Sequence, residues 1–244
     1  MKLHQALPGQ NIPLAGSIEL TERCNLSCHY CYINKPAADK NCLDRELKTA
    51  EFKQLISGAA AMGCLWLLIT GEEPLLRPDF AELYKTDKRK GMLVTIFTNA
   101  TLLTAKLCRL FADMPPFGKV TLCARREKTY ERITSIKGAH PKYLKGIDLL
   151  LQYNLPLRVK TPVFADNLVE LDLLKAFTKE RSLEFRFDPV LNLRTDGGKA
   201  PGQYRLSPEK VVELDCNRMA SQGCLTWYRY FAKNDPAIHQ KRFR

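Results

Sequence analysis

One stretch of the chain decides its fold: Leu20-Thr21-Glu22-Arg23-Cys24-Asn25-Leu26-Ser27-Cys28-His29-Tyr30-Cys31-Tyr32, which directly follows a short strand-like run, Ser17–Leu20. Its cysteines are spaced C-x3-C-x2-C. Cysteine thiolates are the usual protein ligands of iron–sulfur clusters. A loop with this spacing can bind three irons of a cubic cluster and leave the fourth iron open to a small molecule.

A tetrahedral zinc site is the alternative, with Cys42 as a fourth ligand. Zinc ligands usually come as two separate C-x2-4-C pairs, whereas Cys24, Cys28 and Cys31 form one tight group. Ferredoxin-type binding uses C-x2-C-x2-C, and that spacing is absent here. We therefore interpret Cys24, Cys28 and Cys31 as ligands of a cluster with one open iron.

With these residues the chain resembles the radical S-adenosylmethionine (radical SAM) superfamily, in the branch whose members usually carry a C-terminal SPASM extension. The resemblance runs from about Ile12 to about Leu214. It implies a 4Fe–4S cluster whose free iron binds the amino and carboxylate groups of S-adenosylmethionine. It also implies reductive cleavage to a deoxyadenosyl radical that abstracts hydrogen from the substrate, with Tyr30 near the adenine.

The charge balance is strongly basic. The 244 residues include 38 Lys and Arg against 26 Asp and Glu, a formal net charge of +12. Such an excess can attract nucleic acid, an anionic membrane or an acidic peptide. The basic residues are scattered and no aromatic-basic recognition motif accompanies them, so we interpret them as a solvated face plus a basic tail. Nucleic acid is therefore not the expected partner.

The cysteine count and the apolar runs indicate a compartment. Nine cysteines without a disulfide spacing framework indicate a reducing environment. Met1–Gln10 lacks the apolar core of a signal peptide, and the longest apolar run, Cys64–Ile69, is too short to span a bilayer. The sequence therefore predicts a cytoplasmic protein without a membrane partner.

Strand-like and helical patterns alternate along the chain. The predicted strands are Ile18–Leu20, Leu65–Thr70, Leu93–Thr98, Val120–Cys123, Leu157–Pro162 and Leu183–Asp188. The predicted helices are Thr49–Met62, Pro78–Lys90, Thr104–Met114, His140–Tyr153 and Asn167–Arg181. This alternation predicts an α/β fold, a partial, open parallel β/α barrel of about six units. We expect an N-terminal segment at 1–16, the barrel at 17–190, and a C-terminal loop, helix and basic tail at 191–244.

In such a barrel, site residues collect at the carboxyl ends of the strands. Gly71-Glu72-Glu73-Pro74 resembles the family's Gly-Gly-Glu-Pro turn, which implies that Glu73 pairs with the ammonium group of the cofactor. The resemblance also places Thr70, Gly71, Asn99 and Thr121 at the cofactor. Asn99 has an equally good alternative role as the cap of a strand-to-loop turn.

The chain also departs from the family pattern. Glu72 and Ala100 replace glycines, and if either position needs a positive φ the replacement costs on the order of 1 kcal/mol. Arg125-Arg126 stands in the motif after the fourth strand, where it would repel a sulfonium unless turned outward, or would select an anionic substrate. Lys160, Arg186 and Asp188 lie near later strand ends and are candidate substrate contacts.

The C-terminal part looks truncated relative to the family. Only Cys216 and Cys224 follow the predicted barrel, and two cysteines cannot bind an auxiliary cluster. We expect an enzyme that modifies a peptide or protein and takes electrons from a ferredoxin- or flavodoxin-like reductant. One alternative is a catalytically impaired relative that binds the cluster and acts as a partner or remnant. A second alternative is an RNA-modifying enzyme of the same superfamily.

Overall fold

The computed structural model describes residues 12–221, with side chains described to residue 216. The chain divides into two compact units, and the first of them ends at Tyr204. The second unit begins at Arg205 and contains helix α8, Pro208–Ser221. Cys216 is exposed on that helix, whereas Cys224 lies outside the described residues. The domain boundaries drawn from the sequence remain predictions.

The first unit is built on one parallel six-stranded sheet. Its strands are β1 Ala15–Glu19, β4 Trp66–Thr70, β5 Leu93–Thr98, β6 Phe117–Thr121, β7 Leu157–Pro162 and β8 Glu184–Asp188, and they lie in that order. A separate parallel pair joins β2, Arg23–Cys24, to β3, Lys35–Pro36. All five pairs of neighbouring strands in the large sheet are parallel, which confirms the predicted α/β fold.

The sheet is open and curved. β1 and β8 are its two edges, so the strands do not close into a full barrel. Ser17 of β1 and Lys160 of β7 nevertheless line the same cavity. Because residues from such distant strands face one space, the sheet curves around it.

Helices lie between these strands along the chain, and most of them contribute apolar residues to the core on the outer face of the sheet. They are α1 Lys40–Arg45, α2 Thr49–Ala61, α3 Phe80–Arg89, α4 Ala105–Asp113, α5 Glu127–Thr134, α6 Ala139–Gln152 and α7 Leu171–Glu180. Alternate strand residues such as Ile69, Val94 and Val159 are buried in one core with Ile56 of α2 and Ile147 of α6. The intervening strand residues face the inner side. Among residues 12–221, no helix combines the length and apolarity needed to cross a membrane.

Several element bounds differ from the predictions. The predicted strand Val120–Cys123 is Phe117–Thr121, because pairing with β5 begins right after two prolines, at Thr95 opposite Phe117. The first strand is Ala15–Glu19 and stops before Leu20. The helix expected from Pro78 begins at Phe80.

Other differences concern helices in loops. The helix expected over Asn167–Arg181 divides into a 3-10 turn, Leu168–Glu170, followed by α7. Helices α1 and α5 were not predicted. Each has eight residues or fewer, too short for a clear apolar period.

Candidate functional site

A cavity of about 460 Å³ opens at the carboxyl ends of the strands. Nine of the residues singled out from the sequence line it: Cys24, Cys28, Tyr30, Cys31, Thr70, Gly71, Asn99, Thr121 and Lys160. Glu73, Arg186 and Asp188 do not. The cavity therefore unites the cysteine loop with three motifs that lie far apart in the sequence.

The cysteine loop is anchored on both sides. At its start, Arg23 forms an ion pair with Glu46 (Nε–Oε1 2.7 Å), and both side chains are largely buried. At its middle, the amides of Ser27 and His29 donate to the carbonyls of Thr134 and Ile133, at 2.9 and 3.1 Å. The loop is thus held between Glu46, directly after α1, and the C-terminal end of α5.

Two of the three sulfur atoms, those of Cys24 and Cys31, are supplied with donors suited to thiolates. The amide of Leu26 points at Cys24 Sγ (3.3 Å), and the amides of Ile33 and Asn34 point at Cys31 Sγ (3.3 and 3.0 Å). Such N–H···S contacts stabilise cluster thiolates and tune their potential. The residues present therefore fit an iron–sulfur cluster.

Without a metal these thiols hold their protons. Burial raises the pKa of Cys24 to about 12, and burial raises the pKa of Cys28 and Cys31 well above the ordinary thiol value. Thiolates, not thiols, bind metal, so cluster assembly here releases protons.

Cys42, the fourth ligand in the zinc alternative, lies elsewhere. Its thiol contacts Glu22 (3.4 Å) and Arg45 (3.8 Å), and it lines a second cavity that none of the other three cysteines reaches. Among residues 12–221, no three His, Cys, Asp or Glu side chains converge tightly enough to hold a single metal ion. A cubic cluster makes a different demand, because each thiolate binds its own iron.

The turn after β4 depends on glycine at position 71. Gly71 has φ +125°, and a Cβ there would lie 2.5 Å from the carbonyl oxygen of Thr21. The next two amides, of Glu72 and Glu73, donate to the carbonyls of Thr21 and Arg23. The turn therefore lies directly against the cysteine loop, and Glu72 stands in its glycine-like place without a positive φ.

Glu73 is completely buried beneath this turn. Its carboxylate accepts from Thr98 Oγ1 (2.8 Å) and from the amides of Asn99 (2.7 Å) and Leu75 (3.0 Å). Burial raises its pKa to about 7, against the opposing effect of these donors. In this position Glu73 joins the turn after β4 to the turn after β5.

Of the two adjacent carboxylates in this turn, Glu72 is the one that faces the cavity, which Glu19 of β1 also lines. The thiol of Cys31 donates to Glu72 Oε2 at 2.6 Å. Burial raises the pKa of Glu72, so this charge sits in a partly dry place and favours a cation beside it. Sequence reasoning treated Glu72 only as a misfit.

The turn after β5 keeps its left-handed residue although alanine replaces glycine. Ala100 has φ +63° and is fully buried. Its amide donates to Thr98 Oγ1 (3.1 Å), and Asn99 Oδ1 accepts from the amide of Thr101 (2.9 Å). Ala100 therefore does need a positive φ, the case in which the replacement of glycine costs about 1 kcal/mol, and these bonds hold it there.

Asn99 has the capping role considered for it, whereas its contact with the cofactor stays a prediction. Besides capping the turn, its Nδ2 donates to Asn25 Oδ1 (3.0 Å) and lies 3.6 Å from Cys24 Sγ. The side-chain Nδ2 of Asn25 in turn donates to Thr101 Oγ1 (2.8 Å). This turn therefore positions the first cysteine.

A Gly146→Ala substitution tests how tightly this turn is held. The added Cβ would lie 2.1 Å from the carbonyl oxygen of Ala100, so either α6 or the turn must move. We expect a loss of about 2 kcal/mol in the free energy of unfolding, measured by urea denaturation, and weaker cluster retention. Gly58→Ala on α2 is the control: its Cβ would meet open space, and we expect a gain of up to about 1 kcal/mol. Equal effects of the two changes would contradict the tight contact.

Arg125 and Arg126 turn away from the cavity. Their amides donate to the buried carboxylate of Glu170 at 2.8 and 2.9 Å. The guanidinium of Arg125 lies over the ring of Phe177, 4.9 Å from its centre. The sequence left two alternatives for this pair, arginines turned outward or arginines that select an anionic substrate in the cavity. Neither side chain lines the cavity, so the outward orientation is the one observed.

Lys160, Arg186 and Asp188 lie on the inner face of β7 and β8. Lys160 pairs with Asp188 (3.4 Å), and Arg186 hydrogen-bonds Glu184 (2.9 Å). Each of these side chains is at least two-fifths exposed. Only Lys160 reaches the cavity described above.

Comparison with known proteins shows that the sequence model of the Radical SAM superfamily matches residues 18–171 of this chain. The AdoMet-dependent heme synthase of Methanosarcina barkeri is 32% identical over 171 residues, which cover 70% of this chain and 48% of that protein. The PqqA peptide cyclase of Bradyrhizobium diazoefficiens is 30% identical over 217 residues, covering 87% of this chain and 55% of that protein. The chain thus spans about half the length of these curated relatives.

Among solved structures, Streptococcus suis SuiB bound to S-adenosylmethionine has the same fold, with a TM-score of 0.69. Its sequence is 18% identical, and the match covers 91% of this chain and 52% of that chain. The likeness concerns the fold of the open parallel sheet and its helices.

Proposed function

Because this chain belongs to the radical SAM superfamily, we propose that it cleaves S-adenosylmethionine reductively and directs the resulting radical at a peptide. The observation that carries the proposal is one cavity, lined by Cys24, Cys28 and Cys31 together with Gly71 and Glu72. The cluster, when bound, supplies the electron that breaks the sulfonium bond. The work of the chain is to hold the reactants and exclude water.

The residues divide that work as follows. Cys24, Cys28 and Cys31 would hold the cluster. Glu72, whose carboxylate faces the cavity beside Cys31, would pair with the ammonium group of S-adenosylmethionine. Glu73 would brace the turn from below, in place of the ammonium role that the family resemblance implied.

The aromatic residue of the cysteine loop suits the nucleoside part of the cofactor. Tyr30 lines the cavity and packs against Phe164, with ring centres 5.0 Å apart. Its aromatic surface would cover the adenine. Thr121 and Asn99 would offer hydrogen bonds at the rim.

A peptide is the proposed substrate class. Support comes from the PqqA peptide cyclase, whose match covers most of this chain. The electron would come from a ferredoxin- or flavodoxin-like protein. The RNA-modifying alternative rests on net charge alone.

The impaired-relative alternative loses two of its arguments. Ala100 keeps the left-handed turn, and Arg125 and Arg126 point outward. Glu72 is a further departure from the family pattern, but a carboxylate that faces the cavity suits a cationic cofactor.

The test is formation of deoxyadenosine. Anaerobically reconstituted chain should hold four irons per polypeptide and, with dithionite and S-adenosylmethionine, should release deoxyadenosine and methionine in equal amounts. Protein incubated without dithionite is the control. Fully loaded protein that binds S-adenosylmethionine and yields no deoxyadenosine would favour the impaired relative.

A further inference from the structure

A strip of four cations lies on the inner face of the sheet. The registers place Lys119 beside Arg158, and Lys160 beside Arg186. Side chains two residues apart on a strand share a face, so Lys119 faces the same side as Thr121, which lines the cavity. The strip continues from the cavity wall at Lys160 across β6, β7 and β8.

The strip carries more positive than negative charge. Glu184 serves both Arg158 (2.6 Å) and Arg186 (2.9 Å), and Asp188 pairs with Lys160 at 3.4 Å. Two carboxylates thus face four cations. Their side chains are two-fifths exposed or more, so these ion pairs are weak and can exchange with a ligand.

Lys119 stands out within the strip. Among the described residues it has no carboxylate within ion-pair distance. Its ammonium lies 4.9 Å from the ring centre of Phe97, a residue that lines the cavity. Burial, followed by repulsion from Arg158, Arg186 and Lys160, lowers the pKa of Lys119. An incoming anion would relieve that repulsion.

The opposite wall of the cavity is acidic. Glu19 and Glu72 line it on the side of β1 and the cysteine loop. A ligand that bridges the cavity would therefore place its cation near Glu72 and its anion near Lys160. This polarity directs the cofactor's positive groups away from the strip.

We propose that Lys119, Arg158, Lys160 and Arg186 bind a carboxylate of the substrate peptide, so that this chain selects acidic peptides. The proposal rests on the proposed function and names its substrate class. The carboxylate belongs to an Asp or Glu side chain or to the C-terminus. Its entry would displace Glu184 and Asp188 from part of the strip.

The test compares two short rhodamine-labelled peptides, one alternating Glu with Gly and one alternating Gln with Gly, each with a free or an amidated C-terminus. Binding to cluster-loaded protein with S-adenosylmethionine is measured by fluorescence anisotropy. We expect the Glu peptide to bind about tenfold tighter, and Lys119→Met combined with Lys160→Met to remove that difference. If the Glu and Gln peptides bind equally with a free C-terminus and amidation weakens both about tenfold, the C-terminal carboxylate is the group bound.

The matched control is Lys53→Met combined with Lys175→Met, which removes two lysines from α2 and α7 with similar exposure. This control should keep the preference. Three results would overturn the proposal: a preference that survives in the strip variant, equal binding of all four peptides with free and amidated C-termini, or binding of none of them to the wild-type protein.

Two further readouts keep this proposal separate from the proposed function. Calorimetry of S-adenosylmethionine binding to the strip variant should match wild type, whereas a loss would show that the strip serves the cofactor and would overturn the proposal. Deoxyadenosine formation reports the proposed function alone. Selective binding without deoxyadenosine would sustain the acidic-peptide site and reject the enzyme; deoxyadenosine without selectivity would do the reverse.

Discussion

Replacing Cys28 with alanine is expected to abolish both cluster binding and cleavage of S-adenosylmethionine. Two thiolates, Cys24 and Cys31, would remain to hold a cube that needs three, and the loss of a ligand removes the binding energy that offsets deprotonating buried thiols. Iron and sulfide content should fall to background, and deoxyadenosine should be undetectable. The free energy of unfolding of the metal-free protein should change by less than about 1 kcal/mol, because Cys28 is only partly buried and its side chain is small.

Cys42→Ala is the matched control for this change. Cys42 is also a free cysteine and is more buried, at 3% exposure, but it contacts Glu22 and Arg45 away from the cavity. This variant should keep full iron content and full cleavage. Loss of metal in both variants, with zinc in the wild-type protein, would restore the tetrahedral zinc site and reject the cluster.

Local patterns were enough to predict the fold and the rim of the site. Strand-like runs followed by polar or glycine-containing turns placed four segments at one edge of a parallel sheet, and all four contribute to the cavity. This worked because parallel strands joined by helices must point the same way. The cysteine spacing then distinguished this edge from an ordinary one.

The inner face of the sheet could not be predicted as well. The sequence reading began the fourth strand at Val120, whereas pairing begins at Phe117. That shift left Lys119 outside the strand, and its side of the sheet was undefined. Successive side chains on a strand point to opposite faces of the sheet. The register of the strand with its neighbours must therefore be known before each residue can be assigned to the inner or the outer face.

The sequence also could not predict which side chain in the turn after β4 faces the cavity. Glu72 and Glu73 are adjacent carboxylates, and a family resemblance assigns roles by position in a motif. The positive φ of Gly71 decides which of the two carboxylates faces the cavity. So do the hydrogen bonds that Thr98 Oγ1 and the Asn99 amide donate to Glu73. Those donors come from a turn 25 residues away.

Substitutions at Glu72 and Glu73 should separate two roles, binding of S-adenosylmethionine and stabilisation of the turn after β4. Glu72→Gln removes a negative charge from the cavity wall, so we expect about 30-fold weaker binding of S-adenosylmethionine, equivalent to about 2 kcal/mol for a hydrogen bond with a charged partner. Its free energy of unfolding should stay close to wild type. Calorimetry on cluster-loaded protein and urea denaturation measure the two quantities.

Glu73→Gln should show the opposite pattern. Its Oε1 already accepts from Thr98 and Leu75, so the new amide nitrogen must face the Asn99 amide, which is also a donor. Two donors brought together in a fully buried place should cost about 1–3 kcal/mol of unfolding free energy. Folded protein that retains its cluster should bind S-adenosylmethionine within about threefold of wild type, since Glu73 does not reach the cavity. If instead Glu73→Gln weakens binding about 30-fold at unchanged stability while Glu72→Gln binds normally, Glu73 is the ammonium partner and the position of Glu72 beside Cys31 has no part in holding the cofactor.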